Sequence, residues 1–426
     1  MNEKINQQLL DFIEKSPTAF QAVEQTEKRL SQEGFRELEE NRPWEIVPGG
    51  NYYVTRNHSA LIAFSLPENI LEEEGLCRFR IMASHSDSPC FKIKENPEMK
   101  GPGEYVKLNV EKYGGMIMSS WMDRPLSAAG RVLVRRDGCV QEKNINIARD
   151  LMVIPSLAIH MNREMNEGYR YNGQKDMLPL FSADGRNSFR QLLSLETGIR
   201  EEDILGMDMY LYNRMPGSIW GNNKEFISSP RLDDLQCAFA SLEGFLAADR
   251  KNSIAVHCIF DNEEVGSTTR QGAASTFLKD TLRRILLKLG MSEEKYLMAI
   301  ADSFMVSADN AHAAHPNYME KCDPVNQPVL NKGIVIKYNA NQKYCTDGVS
   351  AAFFKDICER AQVPCQVFVN RSDVAGGSTL GNISSTQVPI KTVDIGLPQL
   401  CMHSASETAG AMDTEYLIRA AEVLFA

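Results

Sequence analysis

An apolar run that stops abruptly at a group of carboxylates constrains this chain more than any other feature. The stretch Ile254–Ser267 reads IAVHCIFDNEEVGS, seven residues rich in Ile, Val and Phe followed by three acidic residues and a glycine. Such a run is typical of a strand that is buried on both faces of an α/β sheet, where ligands bind in the crevice outside the carboxyl ends of the strands. The sequence therefore predicts that Glu263 and Glu264 lie at the rim of a pocket.

Two interpretations of this glutamate pair stay open at this point. Adjacent carboxylates repel each other unless a cation neutralises one of them, which leaves the other free to act as a base. One metal ligand beside one base is a metallohydrolase pattern. The alternative is a solvated acidic turn, and this stretch alone does not decide between the two.

Length and charge limit the classes of protein that remain. At 426 residues the chain exceeds the ~250–300 residues at which a single core stops growing, so we expect two domains. A net charge of −10, with no long run of Lys or Arg, argues against nucleic acid or an anionic membrane as a partner.

The compartment is predicted from the first residues and from the cysteines. The start is polar, and no apolar stretch approaches the ~20 residues of a membrane span, so we expect a cytoplasmic protein. The ten cysteines are scattered singly. In a reducing compartment they are expected to be small buried hydrophobic residues rather than disulfides or zinc ligands.

Other apolar runs also end in residues suited to metal binding. The run Cys77–Ser84 leads into His85-Ser-Asp87, in which the carboxylate would accept a hydrogen bond from one imidazole nitrogen while the other binds a metal. When His-x-Asp is considered alone, the commoner explanation is a turn in which the histidine makes its hydrogen bonds within the protein. Asp233 precedes an amphipathic helix and has the alternative role of its N-cap.

The densest group of His and Asp residues is the segment Asp309–Pro316. The spacing of His312 and His315 would suit a metal, although the proline directly after them argues against a helix there. Further along, Lys337 belongs to a short predicted strand and His403 follows the last loop.

Residues 92–204 differ in sequence pattern from the rest of the chain. Short β-prone runs such as Arg131–Arg135 alternate with loops rich in Gly, Asn and Asp, which predicts an inserted β-rich domain. Within it the apolar run Leu151–His160 ends at a histidine, and a strand end on a surface is its ordinary explanation.

Candidate metal ligands thus occur at separate strand or loop ends. They comprise two imidazoles and three carboxylates, which suit catalytic zinc, cobalt or manganese and leave positions open for water and substrate. Two zinc ions sharing one bridging carboxylate would use all five. Their wide spacing means that periodicity alone does not select them from the other acids and histidines. The five are His85, Asp233, Glu264, Asp309 and His403.

Five blocks of sequence together resemble the aspartyl aminopeptidase family of dinuclear zinc exopeptidases. The similarity runs nearly end to end, and within the insert it includes Trp121–Arg131 and Ile154–His160. The five blocks are His85–Pro89, Ser229–Asp233, Asp261–Ser267, Asp309–Asn317 and Met402–Ser404.

The resemblance implies a fold and an assembly. The fold would be α/β, with a mixed, mostly parallel sheet and helices on both faces, as in zinc exopeptidases. Residues 1–91 and 205–426 would form a discontinuous catalytic domain, and residues 92–204 an inserted β-rich dimerisation domain. Dimers of this kind would assemble into a homo-oligomer of twelve chains.

The resemblance also implies a set of two metal ions. His85 and Asp309 would hold one ion, Glu264 and His403 the other, and Asp233 would bridge them. The ions would most simply be Zn²⁺, with Co²⁺ or Mn²⁺ as alternatives. A water between them would hydrolyse the bond after the first residue of a peptide substrate.

Further residues take roles through the same resemblance. Glu263 would be the general base and Asp87 would orient His85, while His312 and His315 would lie outside the set of ligands. His160 would reach a neighbouring subunit's active site.

The positions at which this sequence differs from the family bear on substrate preference. Lys337 matches a family lysine in the substrate pocket, which would favour an acidic first residue. However, Asp234 stands where the family often has Asn, and Ser406 stands where relatives commonly carry Arg. Neither departure removes a ligand, but both bear on preference.

Other functions are compatible with this architecture. An aminopeptidase of neutral specificity or a deacylase would use the same metal site, because that site serves any amide. A catalytically silent assembly or cargo-binding protein would be expected to lose the base or a ligand, and this chain keeps all six residues.

Overall fold

The computed structural model describes residues 3–426. The α-helices of this part of the chain are α1 (Glu3–Glu14), α2 (Ala19–Gln32), α3 (Phe189–Thr197), α4 (Leu232–Ala247), α5 (Phe277–Lys288), α6 (Glu293–Asp302), α7 (Gly348–Ala361), α8 (Leu380–Ser384) and α9 (Asp413–Phe425).

The strands form three sheets. They are β1 (Arg36–Glu37), β2 (Asn51–Arg56), β3 (Ala60–Ser65), β4 (Phe79–His85), β5 (Cys90–Lys100), β6 (Val106–Tyr113), β7 (Leu126–Arg136), β8 (Cys139–Asn146), β9 (Leu180–Ser182), β10 (Ile204–Asn213), β11 (Ser218–Trp220), β12 (Phe226–Ser229), β13 (Ile254–Phe260), β14 (Phe304–Ala308), β15 (Ala311–His312), β16 (Ile334–Tyr338), β17 (Cys365–Val369), β18 (Lys391–Gly396), β19 (Pro398–Leu400) and β20 (Glu407–Gly410).

The central sheet has nine strands in the order β1-β2-β3-β13-β4-β14-β18-β16-β17. Its middle strands β13, β4, β14 and β18 are parallel, whereas β3 pairs with β13, and β16 with β18, in the antiparallel sense. The predicted mixed, mostly parallel sheet is therefore confirmed.

Helices cover both faces of this sheet, which explains the continuous apolar run of β13. Every residue of that strand is buried. Ala255 belongs to the core cluster that contains residues of α4, α7 and α9, while Val256 and Cys258 belong to the cluster that contains residues of α5 and α6. Successive side chains of a strand point to opposite faces, so a strand between two helical layers needs apolar residues at every position.

The second sheet is antiparallel, with the order β8-β7-β10-β5-β6-β9, and its strands lie between Cys90 and Asn213. It encloses a core of its own that includes Phe91, Trp121 and Leu211. The division of the chain at residues 92 and 204, and the role of this part in dimerisation, stay predictions.

The run Leu151–His160 does not form a regular strand. It makes isolated bridges from Met152, Val153 and Ile154 to neighbouring segments and then a single 3₁₀ turn at Ile159–Met161. Pro155 interrupts the run, and a proline has no N–H with which to continue a ladder.

A third, five-stranded sheet, β11-β12-β20-β19-β15, lies beside the central one. The loop between β19 and β20 carries His403. Among the helices described, none has the length and apolar character needed to cross a bilayer.

Candidate metal centre

Three neighbouring parallel strands end together and bring most of the predicted site residues to one edge of the central sheet. His85 is the last residue of β4, and Asp309 directly follows β14, the strand beside it. On the other side of β4, β13 ends at Phe260, which pairs with His85, and Glu263 and Glu264 follow in a 3₁₀ turn.

The imidazole of His85 is 1% exposed and its two nitrogens have different neighbours. Nε2 lies 3.4 Å from Asp233 Oδ1 and 3.8 Å from Asp309 Oδ1. Nδ1 lies 3.0 Å from the carbonyl oxygen of Asp87 and 3.3 Å from its carboxylate Oδ1. One nitrogen thus faces Asp87 and the other faces the carboxylates, and the shorter contact of Nδ1 is with the backbone carbonyl of Asp87 rather than with its carboxylate.

The imidazole of His403 is arranged in the same manner on the other side of Asp233. Its Nε2 lies 3.5 Å from Asp233 Oδ2 and 3.4 Å from Glu264 Oε2, and its Nδ1 lies 2.6 Å from the carbonyl oxygen of Gly115. This ring is 31% exposed and lies in a loop rather than at the end of a buried strand.

Asp233 stands between the two imidazoles and presents one carboxylate oxygen to each. It lies in the first turn of α4, where the backbone is not helical, and the peptide bond from Asp233 to Asp234 is cis. The oxygen that faces His85, Oδ1, is buried and none of the described residues donates a hydrogen bond to it. A buried carboxylate oxygen without a donor is expected where a cation is its partner.

The donor atoms fit one or more divalent cations. Two groups share Asp233: His85, Asp233, Asp234 and Asp309 form one, and Asp233, Glu264 and His403 form the other, with all ligand atoms of a group within 4.8 Å of one another. A third group comprises His85, Glu263 and Glu264. Imidazole and carboxylate donors without thiolate are typical of catalytic zinc sites.

Asp234 differs from Asp233 because its oxygens are already engaged. Oδ2 accepts the backbone N–H of His85 at 3.1 Å, and Oδ1 accepts that of Asn310 at 3.2 Å. The side chain therefore ties the ends of β4 and β14 together, which is a different task from presenting a free oxygen to a cation.

The site concentrates negative charge, and this changes the pKa of its imidazoles. Burial opposes a charge on His403, but the hydrogen bond with Asp233 outweighs burial and raises the pKa of His403 to about 9. Burial is likewise outweighed at His85, whose pKa is held well above its usual value by the carboxylates of Asp234, Asp233 and Asp309. A cation would supply the positive charge that protons otherwise provide here.

Glu263 lies beside these residues, and its pKa is shifted as well. Burial raises the pKa of Glu263 to about 8, although the positive charge of His85 lowers it in part. The turn that carries it is held by Asp87, whose oxygens accept the backbone N–H groups of Glu263 at 3.1 Å and Glu264 at 3.2 Å. Asp87 thus contacts the base candidate as well as His85.

A cavity of about 150 Å³ opens onto these groups. Lys337 lies in its wall and is 4% exposed: its ammonium donates to the carbonyl oxygen of Asn310 at 2.8 Å and lies 3.5 Å from Asp309 Oδ2. Further residues that line the cavity are His312, Tyr344, Phe368 and the segment 377–379.

Three predicted or considered residues lie apart from the candidate ligands. His312 lines the cavity, but it is in none of the three groups of donor atoms found among the described residues. His315 accepts the backbone N–H of Asn317 instead. His160 lies on the exposed 3₁₀ turn of the second sheet's region and is not part of the cavity wall.

Glu407 belongs to the site, although it is not among the residues predicted from the sequence. Its Oε1 accepts the backbone N–H of His403 at 2.7 Å, and its Oε2 accepts that of Asp233 at 2.9 Å. Burial, followed by the charge of Asp233, raises the pKa of Glu407 to about 8. The only available signal was an acidic residue four positions after a candidate ligand.

Comparisons with known proteins agree with this geometry. The chain matches the family model described as Aminopeptidase I zinc metalloprotease (M18) over residues 12–425. It is 46% identical over 420 residues to the "Probable M18 family aminopeptidase 2" of Clostridium novyi (strain NT), which covers 97% of this chain and 96% of that protein.

Solved structures show the same fold. A chain of the cryo-EM structure of the Ape4 and Nbr1 complex has a TM-score of 0.94 and 36% identity, covering 99% of this chain and 85% of that one. A chain of the S. cerevisiae mApe1 dodecamer has a TM-score of 0.86 and 26% identity, covering 99% and 96%. The family predicted from the sequence blocks is confirmed: the chain belongs to the M18 aminopeptidases, a family of zinc metalloproteases.

Proposed function

We propose that this aminopeptidase works with two divalent metal ions, held by His85 and Asp309 on one side and by Glu264 and His403 on the other, with Asp233 as the bridge. The observation that carries the proposal is the placement of Asp233, whose two carboxylate oxygens face two different imidazoles at 3.4 and 3.5 Å. A single metal would not require both oxygens.

The donor set favours Zn²⁺, because imidazole and carboxylate ligands without thiolate are typical of catalytic zinc. When bound, the two cations would act as Lewis acids that polarise the scissile carbonyl and lower the pKa of water.

Glu263 is the group that moves the proton. It lines the cavity beside the proposed ligands without being needed as one of them. Bound cations would offset the effect of burial on its pKa and keep the carboxylate ionised, so that it takes a proton from the attacking water and passes it to the leaving amine. Asp87 holds Glu263 in place through the backbone N–H at 3.1 Å.

Lys337 gives the cavity a cation that would pair with an acidic first residue of the substrate. It lies in the cavity wall, and a charge-assisted hydrogen bond from its ammonium would favour Asp or Glu over Leu at that position. Its present contacts with Asp309 and Asn310 leave at least one of its three donors for substrate.

The second sheet would form the dimer, and dimers would build a larger assembly. The exposed turn around His160 carries apolar side chains that face solvent in the single chain: Leu157, Ile159 and Met161, of which Met161 is 75% exposed. Such a patch is typical of a protein interface. The mApe1 chain of similar fold belongs to a dodecamer, which supports the same assembly for this chain.

The experiment that tests the mechanism is the substitution Glu263→Gln. Turnover of a peptide anilide should fall by about 10²–10⁴-fold, because the amide cannot accept the proton, while the metal content measured by elemental analysis stays near that of the wild type. The neighbouring variant Glu264→Gln is the matched comparison and should lose metal, since it removes a ligand. Near wild-type turnover in Glu263→Gln would contradict the assignment.

A panel of substrates separates the alternatives of the same architecture. Aminoacyl anilides with acidic and neutral side chains, and N-acyl amino acids, should be assayed with added zinc, cobalt or manganese. Cleavage of the N-acyl compounds in preference to the anilides would favour a deacylase.

A further inference from the structure

The end of β6 in the second sheet reaches the proposed metal centre at two points. The segment Tyr113–Gly115 begins at the last residue of this strand. At one end of the segment the Tyr113 hydroxyl donates to Asp87 Oδ2 at 2.7 Å, and Asp87 faces His85. At the other end the carbonyl oxygen of Gly115 lies 2.6 Å from Nδ1 of His403.

The direction of the hydrogen bond from Tyr113 is fixed by a second neighbour. Asn262 Nδ2 donates to the Tyr113 hydroxyl oxygen at 2.8 Å. The side-chain amide nitrogen of Asn262 can donate a hydrogen bond but cannot accept one. The single proton of the Tyr113 hydroxyl therefore points to Asp87. Burial and the charge of Asp87 raise the pKa of Tyr113, which keeps that proton on the phenol.

Asp87 in turn contacts three other groups of the site. Its Oδ1 accepts the N–H of Glu263, its Oδ2 accepts that of Glu264 at 3.2 Å, and its Oδ1 lies 3.3 Å from Nδ1 of His85. Without the hydroxyl of Tyr113, Oδ2 would keep only the bond from Glu264, and the carboxylate would be held by one hydrogen bond fewer.

The segment approaches the site closely. Gly114 has a φ of +75°, and a Cβ at this position would lie 3.1 Å from Glu264 Cβ. A positive φ and a close approach of this kind require glycine. The backbone between Tyr113 and Gly115 is therefore in direct contact with the turn that carries Glu263 and Glu264.

We propose that Tyr113 is a positioning residue for the metal centre and the base, acting through Asp87, so that the second sheet completes the active site of its own chain as well as serving contacts between chains. This inference rests on the proposed function. It assigns to Tyr113 an effect on metal affinity and turnover, not on the binding of substrate.

The test compares two variants that each lose one hydroxyl, Tyr113→Phe and Tyr210→Phe. The two rings pack edge to face with centroids 5.7 Å apart, and the Tyr210 hydroxyl has no hydrogen-bond partner among residues 3–426. In Tyr113→Phe the apparent zinc affinity, measured by competition with a chelator, should fall by about 10–100-fold, as for other residues that orient ligands.

Kinetics give the second readout. In Tyr113→Phe, kcat should fall by at least about tenfold while KM changes by less than about twofold, because the contact positions the ligand and base and does not touch substrate. Tyr210→Phe should match the wild type in both. Equal zinc affinity and equal kcat in the two variants would overturn the proposal.

A double-mutant cycle with Asp87→Asn shows whether Tyr113 acts through Asp87. If it does, Tyr113→Phe should change zinc affinity no further in the Asp87→Asn background, because contacting residues are not additive. Full additivity of the two losses would overturn this route.

Folding and chemistry are separated by measurements on the metal-free protein. The thermal unfolding of metal-free Tyr113→Phe should match that of Tyr210→Phe. If Tyr113→Phe does not fold, fluorotyrosine at position 113 keeps the ring and alters the hydroxyl, and it should change zinc affinity where the same replacement at position 210 does not; no change would overturn the proposal. Zinc affinity is also independent of the Glu263→Gln result, so a failure here is distinct from a failure of the proposed mechanism.

Discussion

The central sheet and the second sheet contribute to one cavity by different means. In the central sheet, parallel strands buried on both faces end together and bring His85, Glu263 and Asp309 to one place. The antiparallel second sheet and the residues just after β6 contribute a hydroxyl and a carbonyl oxygen, and His160 is exposed on a turn of the same region. Strand burial thus positions the first set of residues, whereas hydrogen bonds connect the second set to the site.

The two histidines that face Asp233 show the same contrast. His85, at the end of β4, is 1% exposed, whereas His403, in a loop, is 31% exposed and relies on Gly115 and Glu407 for its orientation. The side of the site that the central sheet builds should therefore be the more rigid one.

The largest effect is expected where the two sides meet, at Asp233. Asp233→Ala removes an oxygen from each side at once, so elemental analysis should show loss of metal, and activity should fall by more than the ~10⁴-fold upper range for a general base. Asp356→Ala, on an exposed helical surface, is the matched control and should change neither. Two metals per chain in Asp233→Ala would contradict the bridging role.

A smaller but still large effect is expected from the exposed turn Ile159–Met161. His160 lies outside the cavity of its own chain, but a two-fold contact would place it over the site of a partner, where it would donate to the developing oxyanion. His160→Ala should lower kcat by about 10²–10³-fold with little change in KM. His58→Ala, another exposed histidine, should leave kcat unchanged.

Mixing inactive chains tests whether that histidine acts between subunits. Glu263→Gln chains and His160→Ala chains, combined under conditions that exchange subunits, would form pairs in which one site has an intact Glu263 and a neighbour's intact His160. Activity should return in the mixture. If size measurements confirm mixed oligomers and the mixture stays inactive, His160 does not complete a partner's site.

The same contrast explains what the sequence could predict. The strand β13 was predicted because burial on both faces leaves a continuous apolar run, and its end then marks the pocket. Glu407 and Tyr113 were not predicted because their partners, Asp233 and Asp87, are 174 and 26 residues away, and no local pattern records such a hydrogen bond. The five candidate ligands were selected by resemblance to a family, since many other acids and histidines have similar neighbours in sequence.

The smallest effect concerns Lys337, which belongs to the central sheet and lines the cavity. Its ammonium lines the cavity and also lies 3.5 Å from Asp309 Oδ2, so Lys337→Met should alter selectivity and leave Asp309 without this neighbouring charge. The ratio of kcat/KM for an acidic over a neutral first residue should fall by roughly 10–100-fold, the value of one hydrogen bond to a charged group. Activity on leucine anilide should be kept or improved.

Lys332→Met provides the control for Lys337→Met, because Lys332 is an exposed lysine just before the same strand. It should leave the ratio unchanged. Metal content must be measured in both variants, since a loss of zinc would reduce activity on both substrates alike. An equal loss on acidic and neutral substrates, with full metal content, would mean that Lys337 only neutralises Asp309, and selectivity would then have to come from the residues that line the rest of the cavity.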